Sequence, residues 1–121
     1  MLTNDDLFLG ASVIVSIKAT YEVRDESGLV PLEQTKGELV LTDKEFVFLA
    51  VKGTFRKEKK RLHAYPADKL VGYSYERWDG GDTYLYLTIE NEGGGRQNYL
   101  YRTSKRDYEK LIGKVKERKL I

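Results

Sequence analysis

Proton transfer and nucleophilic attack need a base within reach of a hydroxyl or thiol. The 121-residue chain offers one histidine, His63, and no cysteine. Without cysteine there are no disulfides, thiolate zinc sites or thiol nucleophiles. No G-x-S-x-G turn marks a serine nucleophile. His63 lies beside Leu62 in a strand-like run and reads as structural. Asp79 and Asp82 flank two glycines and could touch a divalent cation, but a calcium loop repeats oxygen ligands at alternate positions. Residues 79–82 therefore read as a hairpin turn. Residues 92–96, EGGGR, contain three glycines, but a phosphate cradle opens a helix and this run leads into a strand. No catalytic residue, metal or cofactor is expected.

Two further groups suit binding rather than catalysis. Net charge is only +2, yet residues 52–61, KGTFRKEKKR, hold six basic side chains and one acidic. Residues 1–46 balance to −5, 62–103 to −2 and 104–121 to +4. The cluster Lys52, Arg56, Lys57, Lys59, Lys60 and Arg61 can attract anionic lipid headgroups or an acidic partner, since local charge steers association even where net charge is small. A solvated charged loop is the plainer alternative. Nine tyrosines and one tryptophan form the second group. Basic grooves with stacking aromatics bind single-stranded nucleic acid, and tyrosine and tryptophan also enrich protein interfaces. The tyrosines lie mostly in residues 73–101, where the charge is not basic, so the two ingredients are not interleaved.

The elements that must position these groups follow from periodicity. The chain length favours one domain, 1–121. No apolar run approaches the roughly 18 residues of a membrane span. The acidic start MLTNDDLF lacks the basic region of a signal peptide, so a cytoplasmic location is expected. Scarce Gln, Asn and Met beside abundant Lys and Glu lean towards a heat-adapted source. Thr3 or Asn4 could cap one helical turn near the start. Residues 13–24 alternate with period two, which predicts a long half-buried strand. Residues 25–36, with Gly28 and Pro31, read as a connection with room for a short edge piece. Residues 37–42 and 45–51 form strands around an Asp43-Lys44 turn. The run VFLAV is apolar on both faces and predicts cover on both sides. Residues 58–65 read as an edge strand, its lysines blocking unwanted pairing. Residues 70–78 and the hairpin 83–103 follow. Residues 104–121 read as a helix with Ser104 as N-cap and Tyr108, Leu111, Ile112 and Val115 as its apolar stripe. About seven antiparallel strands and a terminal amphipathic helix predict a mainly β sandwich or open barrel capped by that helix.

This order, with Gly37, Leu39, Leu41, Thr42, Asp43 and Phe48, then Pro66, Asp68 and Leu70, then Tyr99 and Tyr101 before SKRDYEKLI, resembles the pleckstrin-homology-like superfold. More narrowly it resembles the GRAM and bacterial PH-like families over about residues 37 to 118. The resemblance implies two near-orthogonal sheets closed by the helix and a binding module rather than an enzyme. It implies partners among anionic lipid headgroups, peptides or further copies of the domain. The loop that usually carries the basic signature of phosphoinositide binders corresponds to residues 24–36, and here it contains Asp25, Glu26 and Glu33.

The expected function is protein interaction, self-association included, or peripheral attachment to an anionic membrane surface through the basic loop, with single-stranded nucleic acid as the alternative. The hairpin decides which aromatics are free. A four-residue loop, 92–95, sets Tyr86 opposite Tyr101. A slip by one residue sets Leu87 opposite Tyr101 and Ile89 opposite Tyr99, moving every side chain to the other face. The resemblance favours the slip, with Tyr99 and Tyr101 inward. Tyr84, Tyr86 and Trp78 are then the expected exposed aromatic interface.

Overall fold

A computed structural model describes residues 7–28, 30–53, 55–78 and 81–120. The proposed cap at Thr3 or Asn4, and Asp79 and Gly80 of the hairpin turn, lie outside them. Seven antiparallel strands run β1 (Val13–Arg24), β2 (Pro31–Thr42), β3 (Glu45–Lys52), β4 (Glu58–Pro66), β5 (Leu70–Arg77), β6 (Thr83–Glu90) and β7 (Arg96–Arg102), followed by helix α1 (Lys105–Glu117). A 3₁₀ turn, Ala67–Lys69, joins β4 to β5. The ladder is continuous in the order β4-β3-β2-β1-β7-β6-β5. The mainly β architecture with a terminal helix is therefore as the sequence predicts, with one unbroken sheet in place of two separate ones.

That sheet is folded over on itself. β4 and β7 are four strand spacings apart in the ladder, about 19 Å if the sheet were flat. The rings of Tyr65 in β4 and Tyr99 in β7 nevertheless lie 4.3 Å apart. The fold turns at β1, which pairs with β2 along nearly its whole length but with β7 only at Thr20, Tyr21 and Glu22. The enclosed core takes alternate residues from every strand, among them Ile17, Leu39, Phe48, Tyr65, Leu70, Leu87 and Tyr101. Leu111, Ile112 and Val115 of α1 complete it.

Local chemistry sets the boundaries. Ser104 caps α1, its Oγ accepting from the Asp107 N–H at 3.1 Å. The helix stops at Glu117, four residues before the expected end, because Lys119 takes a left-handed φ of 56°. The N–H groups of Leu120 and Lys119 then bond the carbonyls of Val115 and Lys116, a Schellman ending that returns Leu120 to the core. Thr42 and Asp43 stabilise the β2–β3 turn. Thr42 Oγ1 accepts from the N–H groups of Lys44 and Glu45, and Asp43 accepts from the N–H of Ser12 at 3.1 Å. A Cβ on Gly37 would overlap the Leu49 carbonyl, so glycine permits the close approach of β2 to β3.

The connection expected over 25–36 is mostly strand: Arg24 pairs with Pro31 and the ladder runs on from there. The long alternating β1 exposes peptide groups that need a partner along its full length. Pro31 is tolerated because it opens the strand, where its missing N–H costs nothing. The two-sided cover predicted for VFLAV is present. Phe46 and Phe48 face the main core, while Val47 and Leu49 pack beneath Leu7 and Phe8 in a second cluster.

The hairpin has a register that neither sequence alternative anticipates. Leu85 faces Tyr101, Leu87 faces Tyr99 and Glu90 faces Arg96. The loop is thus five residues, 91–95, with Gly94 at φ 83°. This register differs from the favoured slip by two residues, so the faces agree although the partners do not. Tyr101 is fully buried and Tyr99 packs against the core.

Candidate functional site

The β3–β4 loop begins after the Lys52–Glu58 pair. Gly53 starts it at φ 113°, and a Cβ there would overlap the Arg56 carbonyl oxygen. Only glycine fits both demands. The resulting turn holds Phe55 entirely in solvent, at 101% relative exposure. Arg56 and Lys57 follow it, also exposed. The structure divides the six predicted basic residues. Lys52, Arg56, Lys57 and Lys60 make no ion pair among the described residues. Lys59 pairs with Glu38 at 3.2 Å. Arg61 pairs with Glu45 at 2.7 Å and donates to the Leu7 carbonyl at 3.0 Å, tying the N-terminal turn over β3 and β4. Arg61 therefore has a structural role, and the free cations cluster around the loop.

Next to this loop, the outer face of the sheet carries a groove of about 760 Å³. Its floor is Lys18, Ala19 and Thr20 of β1. One wall, from β2, the β3–β4 loop and β4, brings Lys36, Glu38, Lys57 and Lys59. The opposite wall, from the β5–β6 loop, the end of β7 and the start of α1, brings Asp82, Arg102 and Asp107. Two bonds across strands brace that second wall. Thr83 Oγ1 donates to the Thr103 carbonyl, and Thr103 Oγ1 donates to the Lys18 carbonyl at 2.9 Å.

The predicted aromatic interface is largely closed. Tyr84 is only 4% exposed. Trp78 lies 4.5 Å from it, and the Arg24 guanidinium sits over both rings, 4.1 Å from the Trp78 centroid and 5.0 Å from that of Tyr84. Arg24 is held there by Glu22, at 2.6 Å. The Glu22 side chain is fully enclosed, also accepting from Gln34 at 2.8 Å, with Arg102 at 3.9 Å. The Glu22–Arg24 end of the polar face of β1 is thus a buried ionic network with aromatic cover, while Lys18 on the same face is exposed. Trp78 and Tyr86 are half-buried, and burial raises the Tyr86 pKa. Tyr84 is not a free contact residue.

On the inner side, His63 sits among Tyr21, Phe48, Tyr65, Tyr99 and Tyr101. Its Nε2 lies 2.8 Å from the Tyr101 hydroxyl, which lies 2.8 Å from that of Tyr65. Desolvation lowers the His63 pKa to about 4 and raises those of Tyr65 and Tyr101. Imidazole and phenols are all held neutral, and among the described residues no carboxylate orients the histidine. Among the described residues no group of three His, Cys, Asp or Glu side chains could hold a metal ion, and no helix is long and apolar enough to cross a membrane.

Sequence reasoning missed Phe55, although an aromatic inside KGTFRK has no alternating partner that would draw it inward. It also missed Lys18, Lys36 and Arg102, which topology alone brings to one groove. No protein-family model matches the chain, and a search of curated proteins finds no match.

Proposed function

We propose that the chain is a non-enzymatic, PH-like module that docks reversibly on anionic membrane surfaces through its β3–β4 loop. The observation that carries this reading is Phe55, wholly exposed at a loop held open by Gly53 and followed by Arg56 and Lys57, which make no ion pair among the described residues. An exposed phenylalanine is costly in water and gains by entering an acyl boundary, by about 1.5–3 kcal/mol for complete burial. Lys52, Arg56, Lys57 and Lys60 each add about 1 kcal/mol near an anionic surface. Together these give about 5.5–7 kcal/mol, or a dissociation constant of about 10–100 μM, which suits reversible attachment. The strand order with its terminal helix supports the PH-like reading. A base-stacking platform draws less support, because Tyr84 and Tyr101 are buried.

Co-sedimentation tests the proposal. The protein should pellet with phosphatidylserine-containing vesicles at low salt, much less at high salt, and little with pure phosphatidylcholine. Phe55→Ser and the pair Arg56→Glu and Lys57→Glu should each abolish most of the pelleting. Equal pelleting of all variants would reject the loop as the docking element.

A further inference from the structure

The outer-face groove has an electrical polarity of its own. Lys36 and Lys57 on one wall and Lys18 on the floor have no ion-pair partner among the described residues. Across the groove, the carboxylates of Asp82 and Asp107 have none either. Lys59 and Glu38 already neutralise each other, and Arg102 leans towards the enclosed Glu22. What remains for a ligand is a cationic wall facing a carboxylate wall. Thr20 lies between them, its hydroxyl making no hydrogen bond among the described residues.

This arrangement discriminates between ligand classes. A ligand anionic along its whole length gains at the lysines but meets Asp82 and Asp107, and like charges face to face are penalised. A wholly cationic ligand meets the reverse penalty. A ligand with a phosphate at one end and an ammonium at the other satisfies both walls. A groove of about 760 Å³ also falls within the range that holds small organic ligands.

We propose that this groove binds a zwitterionic phosphoester of an amino alcohol, its phosphate towards Lys18, Lys36 and Lys57 and its ammonium towards Asp82 and Asp107. The proposal stands on the groove and does not require the loop to touch a membrane. None of the described residues of the β1–β2 loop lines the groove. The same chemistry occurs in a free phosphoester and in a lipid headgroup.

The test is an NMR titration of the whole chain with glycerophosphoethanolamine, following the amides of Gly37 and Gly81 on the two walls. Glycerol 3-phosphate, which lacks the amine, and ethanolamine, which lacks the phosphate, serve as comparisons. Both amides should shift with the zwitterion, which should bind at least tenfold more tightly than either half. Lys36→Glu and Asp82→Lys change exposed residues, and each should weaken binding at least tenfold while the remaining spectrum shows an intact fold. Phe55→Ser should leave this titration unchanged, which separates the groove from the docking loop. Competition by phosphatidylethanolamine vesicles would assign the lipid source and its absence the free ester; either supports the ligand class. No shift at Gly37 and Gly81 with millimolar probe, or glycerol 3-phosphate binding as tightly as the zwitterion, overturns the proposal.

Discussion

His63 should control the acid limb of stability. Its folded pKa is about 4 against 6.5 for the free side chain, with desolvation as the cause. The unfolded chain therefore binds the proton more readily than the folded one. The histidine's contribution is complete above about pH 6.5 and is lost as pH falls towards 4. At 1.36 kcal/mol per pH unit the full difference would be about 3.4 kcal/mol. The ring is only partly buried, so solvent screening reduces this to about 1.5 kcal/mol. His63→Phe retains a ring to stack on Phe48 and Tyr99 and leaves the Tyr65–Tyr101 hydrogen bond in place. Urea unfolding of both proteins at pH 7.5 and pH 4.5 gives the difference, with the carboxylates common to both cancelling. The wild type should lose about 1.5 kcal/mol more than the variant between those two pH values. Parallel pH profiles would refute the assignment of a neutral, desolvated imidazole.

Three further outcomes follow from other sites. Arg24→Ala should cost about 2–4 kcal/mol in urea unfolding, because it strips the main cation from the enclosed Glu22 and uncovers Trp78 and Tyr84; adding Glu22→Gln should recover part of the loss. Tyr75→Phe should leave stability unchanged or raise it by about 1 kcal/mol, because the Tyr75 hydroxyl is buried with no hydrogen-bond partner among the described residues while its ring stacks 4.0 Å from Tyr108. Gly53→Ala should rearrange the β3–β4 loop, seen as amide shifts confined to residues 52–58, with vesicle binding reduced and global stability lowered by about 1 kcal/mol.

Local signals in the chain were enough for the strands and helix. Alternation placed β1, Ser104 marked the start of α1, and the double-sided apolar run marked β3 as the strand covered twice. Long-range features were not readable in this way. Pro31 looked like a break, since nothing local shows that a twelve-residue β1 demands an equally long partner. The Lys119 left-handed ending has no glycine to announce it. The enclosure of Glu22 was not readable because its cover, Arg24 and Trp78, depends on two separate hairpins meeting. Alternation left both parities of the β6–β7 hairpin open and the family resemblance chose between them, while the register depended on how many residues the three glycines would leave in the loop. The basic cluster was visible as composition, whereas its division into free and committed cations required the positions of Glu38, Glu45 and the Leu7 carbonyl.

Because the chain has no cysteine, Phe55→Cys offers a unique attachment point for an apolar, environment-sensitive fluorophore, which takes the place of the phenyl ring that Phe55→Ser removes. Membrane depth at residue 55 is the most direct test of loop docking. The account predicts a blue shift on adding phosphatidylserine vesicles and quenching by lipids brominated near the headgroup end of the acyl chain, both reversed by high salt. A probe that stays in a water-like environment while the protein remains bound to the vesicles would contradict it.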